Sequence, residues 1–181
     1  DRRVRANQLS EPARVDDRLC RLQTGADEWA TVKILAVDVW PDESECFHCL
    51  SYKPTATPPT LENIDAMEIL IYHAPIGSSD FKQNWKVLGS KSISDADLVG
   101  FIEYLKHTNF PRYIEFTKQD SDELISRANA HYREAYALGD AGKKLESIAE
   151  YSKAIDLFPL FFEAIDNRAF TYMELGDFSS A

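Results

Sequence analysis

Hydrophobic and polar positions along this chain fall into three regimes. Residues 1–31, "DRRVRANQLSEPARVDDRLCRLQTGADEWAT", show weak hydrophobic periodicity, and all their basic residues are Arg, whereas Lys outnumbers Arg downstream. That contrast reads as a polar N-terminal extension, ordered only by docking, or as non-native sequence ahead of a true start near Val32. The second regime opens with "TVKILAVDVW", dense in β-branched residues and apolar on both faces, which predicts a buried strand. "PDES" is a turn, and "ECFHCLSY" predicts a strand that pairs back. The Pro/Thr loop "KPTATPPT" cannot continue a ladder. "AMEILIYHA" predicts a third strand, although "TLENIDAMEIL" has some helical character; "PIGSSD" breaks it and "NWKVLG" predicts a short fourth.

"SISDADLVGFIEYLKH" carries a helical stripe of Leu98, Phe101, Ile102 and Leu105 at i, i+3, i+4, i+7, opened by a capping box from Ser94 to Asp97. Asn109 and Pro111 end that helix, and "RYIEFT" predicts a closing strand. Residues 32–118 thus predict an α+β unit, a small antiparallel or mixed sheet with one helix on one face.

The third regime, residues 121–181, is helical and repeats. Asp120 or Ser121 caps its first helix, with Asp120 to Glu123 fitting a capping box. Setting "HYREAYALGDAGKKLES" over "IDNRAFTYMELGDFSSA" aligns Ala135 with Ala169, Leu138 with Tyr172, Gly142 with Gly176 and Ser147 with Ala181, always at a lag of 34 residues. Ala130 and Ala164, and the aromatic pair Tyr136 and Phe170, keep the same lag. Small residues on facing helices permit close approach, and each helix-turn-helix unit buries its apolar face only against a neighbour.

This period and these positions resemble the tetratricopeptide repeat family, over about residues 128–181. The first unit spans about 128–161, with Ala135, Leu138, Gly142, Ser147, Tyr151, Ala154 and Pro159 at motif positions. The second, about 162–181, is partial, with Ala169, Tyr172, Gly176, Phe178 and Ala181; the pattern breaks off inside its second helix, and the resemblance implies further repeats. His131 and Ile165 stand at the usual Trp position, and Glu134 and Arg168 at the usual Leu position. The resemblance implies a solenoid that acts as an adaptor or scaffold and binds a peptide or protein partner in a groove lined by the first helix of each pair. Groove positions carried over are Asn129, Tyr132, Arg133, Tyr136 and Asp140, then Glu163, Asp166, Asn167, Phe170, Met173 and Glu174. A clamp for C-terminal carboxylates is not implied, since Asn129 stands where a Lys is expected and Arg133 where an Asn is. Phe158, Phe161 and Phe162 in "LFPLFFEA" offer a surface for the first unit, for a second copy or for further helices.

Charge narrows the partners. The net charge of -10 over 181 residues argues against nucleic acid, which needs a basic patch, and favours a neutral or basic protein. No apolar run is long enough to span a membrane and no signal-peptide pattern is present. Three cysteines without such a signal point to reduced thiols and a cytoplasmic location. "CFHC" lacks a second ligand pair, and Cys46 and Cys49 in a strand face opposite ways, so no metal or other cofactor is expected there. His73 and His107 are single histidines at element ends, and no phosphate-binding glycine loop is present. Two alternatives to the adaptor remain. One is an inhibitor such as a bacterial immunity protein; the other is an enzyme, which would need a pocket in the α+β unit holding Cys46, His48 or His73 beside a carboxylate.

Overall fold

The structure, a computed structural model, describes residues 14–15 and 17–181. Its secondary structure is α+β, and the chain divides between Asn109 and Phe110 into two compact units.

The first unit is built on an antiparallel sheet. Its centre is β3 (Glu28–Val39), in which every residue from Thr31 to Asp38 is buried, as a strand apolar on both faces requires. On one side β3 pairs with β4 (Glu45–Tyr52), and β4 with β5 (Ile69–Gly77). On the other it pairs with β2 (Arg18–Gly25), and β2 with β6 (Lys86–Ser90). The short β1 (Arg14–Val15) lies against Ala36 and Val37 of β3, giving the order β5-β4-β3-β2-β6 with β1 beside β3. Pro75 falls in β5, an edge of this sheet, where a residue without an N–H is tolerated.

Both faces are covered. Phe81 of α1 (Ser78–Asn84) packs with Cys20, Val32, Ile34, Val37, Phe47 and Cys49. Phe101 and Leu105 of α2 (Asp95–Thr108), both fully buried, cover the other face. The capping box opens α2: the Ser94 N–H donates to Asp97 Oδ2 at 2.8 Å. Gly100 lets α2 approach closely, since a Cβ there would sit 2.6 Å from the carbonyl carbon of Tyr72 in β5.

Three expectations are corrected here. Residues 18–31 are not an extension. They form β2, an interior strand, and the start of β3, with Leu19 and Cys20 fully buried. The arginines that hid this strand are accommodated: the Arg21 guanidinium lies 5.1 Å over the Trp29 ring and donates to the Pro59 carbonyl. Residues 1–13 and 16 of that reading lie outside the described residues. Second, "RYIEFT" is not a strand but part of α3 (Phe110–Thr117), which opens the second unit. Pro111 sits in its first turn, where the missing N–H is not needed, and Phe110 and Tyr113 bury one face at i, i+3. Third, "PIGSSD" is not a break: Pro75–Gly77 end β5, and Ser78 opens α1, which runs on to Asn84.

The second unit continues with α4 (Ser121–Asp140), α5 (Lys144–Leu157) and α6 (Phe162–Glu174). Asp120 caps α4 by accepting the N–H groups of Asp122 and Glu123 at 2.9 and 3.0 Å. α4 and α5 form a hairpin, locked where the buried Ser147 hydroxyl donates to the Ala135 carbonyl at 2.7 Å. Ala135, Tyr151, Ala154 and Ala164 form the seam that joins α4, α5 and α6. Phe158 packs on Phe110 at 4.9 Å and Phe161 on Tyr132 at 5.0 Å, while Phe162 stays 65% exposed. Of the three phenylalanines considered for association, two are thus engaged within this unit. Among the described residues no helix is long and apolar enough to cross a membrane.

Candidate functional site

The helical repeat is present in the backbone itself. α4 and α6 end in the same turn, a glycine in the left-handed region: Gly142 at φ 75° and Gly176 at φ 78°. The Lys143 N–H reaches back to the Leu138 carbonyl at 2.9 Å, and the Asp177 N–H to the Tyr172 carbonyl at 3.0 Å. Gly142 and Gly176 likewise bond the carbonyls of Gly139 and Met173, completing two Schellman caps at a lag of 34 residues. The repeats differ where a neighbour is present: Ala164 is fully buried in the seam with α5, whereas its equivalent Ala130 is exposed.

The groove positions sort by burial. Tyr132 and Asn167 meet between α4 and α6, where the Asn167 amide donates to the Tyr132 hydroxyl at 3.0 Å. One turn further along each helix, Tyr136 and Phe170 are 55% and 64% exposed, and Met173 is 46% exposed. Arg133, Asp140, Glu163 and Asp166 are exposed around them, and Asn129 is half-buried. Glu174 is exposed but engaged, 3.2 Å from the Lys144 ammonium of α5. The surface is therefore an aromatic and thioether strip with an acidic margin, set along a hydrogen-bonded seam.

The first unit holds a second polar constellation around Cys46, His48 and His73, in which the pairing of the two histidines is what sequence reasoning missed. Cys46 and Cys49 do alternate: Cys49 joins the Phe47 cluster, while Cys46 pairs opposite Asp38. Burial, then the Asp38 charge, pushes the Cys46 thiol above its ordinary value. His48, 1% exposed, lies between two partners. Its Nε2 is 3.0 Å from Asp38 Oδ2, off the axis of a well-formed hydrogen bond, so that contact is chiefly electrostatic. Its Nδ1 is 2.8 Å from Nε2 of His73 in β5. The His73 ring stacks on Tyr104 of α2 at 4.4 Å, and Phe101 lies 4.9 Å from His48. Burial, then the neighbouring His48, lowers His73 to about 4, with Asp38 opposing.

A cleft of about 360 Å³ opens on the other side of the sheet, lined by Val37, Phe47, Phe81, Trp85 and Val87 with Arg18 and Glu45 at its polar margin. The histidines and the cleft thus lie on opposite faces, so His48 stands beside a carboxylate but not in that pocket. Among the described residues no group of three His, Cys, Asp or Glu side chains is placed to hold a metal ion. No protein-family model, curated protein or solved structure matches this chain.

Proposed function

We propose that this chain is a protein–protein interaction module of the adaptor or scaffold type. In this reading its second unit is a tetratricopeptide-like pair that takes a peptide or protein partner along the α4–α6 seam. One observation carries it. Tyr136 and Phe170 occupy the same place in both repeats and remain 55% and 64% exposed, whereas the hairpin itself is held by buried small residues and Tyr151. A large ring kept in water at a repeated position contributes little to folding and suits partner recognition, where aromatics dominate the energy.

The acidic margin of Asp140, Glu163 and Asp166 favours a neutral or basic partner over nucleic acid or a membrane surface, and a cytoplasmic setting accords with free thiols. The test uses a partner recovered with the full chain from native lysate and titrated against purified protein. The double variant Tyr136→Ala/Phe170→Ala is expected to weaken binding by about 30-fold or more, the loss of one hot spot, with the thermal melt unchanged. Unaltered affinity would move the site off this seam.

A further inference from the structure

The geometry points to an acid-sensitive latch in the first unit: the His48–His73 contact holds β5 and α2 against the sheet while the pair carries at most one positive charge, and releases them when it carries two. The contact is a nitrogen–nitrogen approach of 2.8 Å. At that distance one ring donates an N–H and the other accepts with a lone pair. One proton in excess is compatible with the bond, because Asp38 stands 3.0 Å from the far nitrogen of His48 and balances the charge. A second leaves an N–H on both facing nitrogens and no acceptor, so the contact becomes repulsive.

Among the described residues the surroundings offer no second counter-charge. The groups that face the pair are Asp38 from β3, Cys46 from β4 and the neutral rings of Phe101 and Tyr104 from α2. Of the three α2 acids, Asp97 is engaged by Lys33, Glu103 by His107, and Asp95 is exposed at the first position of the helix. The low proton affinity of His73, about 4, accords with this. A base held below its free value of 6.5 stabilises the closed form fully above that value, and the stabilisation drains away as pH falls towards 4.

Release would be local because of where His73 sits. β5 is bonded only to β4 within the sheet order, and Tyr104 and Gly100 of α2 rest on His73 and on the backbone of Tyr72. Expelling the His73 ring therefore loosens β5 and α2 together, while β2 and β3 keep their ladders.

Hydrogen exchange read by mass spectrometry, on the full chain at pH 7 and pH 4.5 and normalised for intrinsic rates, tests this. Peptides covering residues 69–77 and 95–108 are expected to lose protection about tenfold at pH 4.5, with residues 18–39 and 121–157 unchanged. In His73→Gln, whose amide hydrogen-bonds without titrating, the acid-induced loss is expected to vanish. Equal loss across the unit, no loss, or the same loss in His73→Gln would overturn the latch. Should His73→Gln fail to fold, an NMR titration of the wild-type imidazole protons decides: His73 uptake coincident with β5 amide shifts supports the latch, and uptake without them refutes it.

Discussion

Replacing Gly100 by alanine sets two effects against each other. Helix propensity alone favours the change by about 1 kcal/mol, because glycine is a poor residue for a helix interior. The packing opposes it. A Cβ at this position would lie 2.6 Å from the Tyr72 carbonyl carbon and 2.7 Å from its oxygen, and ordinary contact begins near 3.4 Å. The obstacle is backbone of β5, not the tip of a flexible side chain, so α2 must retreat by roughly 0.8 Å. That movement also lifts Phe101 and Leu105, both fully buried, from the sheet. Overpacking of this kind costs about 1–3 kcal/mol, with loosened core contacts in addition, so the expected net loss is about 2 kcal/mol. The three tryptophans, Trp29, Trp40 and Trp85, all lie in the first unit, so their fluorescence reports its unfolding without contribution from the helical unit. In urea the midpoint should fall by about 1 M. A midpoint equal to or above that of the wild type would show that propensity decides and that α2 does not seat on β5 at Gly100.

Two further outcomes follow from single side chains. Asp120→Ala removes both bonds of the α4 cap and should cost the helical unit about 1 kcal/mol, seen as a lower far-UV circular dichroism midpoint with tryptophan fluorescence unmoved; Asp120→Asn should recover most of it. Lys33 is 4% exposed, and its ammonium bonds Asp97 at 2.8 Å and the Ser92 carbonyl at 2.6 Å, so Lys33→Met should destabilise the first unit by about 3 kcal/mol. Burial pushes the Asp97 carboxyl up, but hydrogen bonds from Lys33 and Ser94 outweigh it and leave the group below its ordinary 3.8. Its contribution is therefore present above that value and lost as pH falls through the lowered one. The urea midpoints of wild type and Asp97→Asn should differ at pH 7 and begin to converge only as pH falls below about 4; a difference independent of pH would contradict this assignment.

What was legible in the sequence was whatever carries a strong local period. The run of buried residues in β3, the bounds of β4, the Leu98–Leu105 stripe of α2 and the caps at Ser94 and Asp120 all signal themselves within a few residues, and the structure has them. β2 was obscured because Arg18 and Arg21 break its apolar pattern, and a guanidinium laid over Trp29 is not a local property. α3 was obscured because Pro111 closes one helix and opens the next with the same residue type. The His48–His73 pair had no sequence signal, since it depends on the β4–β5 register, which shifts between Cys49 and Ser51. The 34-residue period was readable because its turn glycines and small residues recur in the sequence itself, and Gly142 and Gly176 carry it in the backbone.

The paired turns at Gly142 and Gly176 bear on how such a chain changes length over generations. Both close with the same two backbone bonds, so the chain leaves α4 and α6 in the same direction relative to each helix. An in-frame duplication of 34 residues anywhere past the first turn would add one more step to the stair without a new junction having to evolve. A duplication one residue longer or shorter would rotate every later contact by about 100°, turning the small faces away from their neighbours. Gene copying can therefore lengthen this architecture only in whole strides.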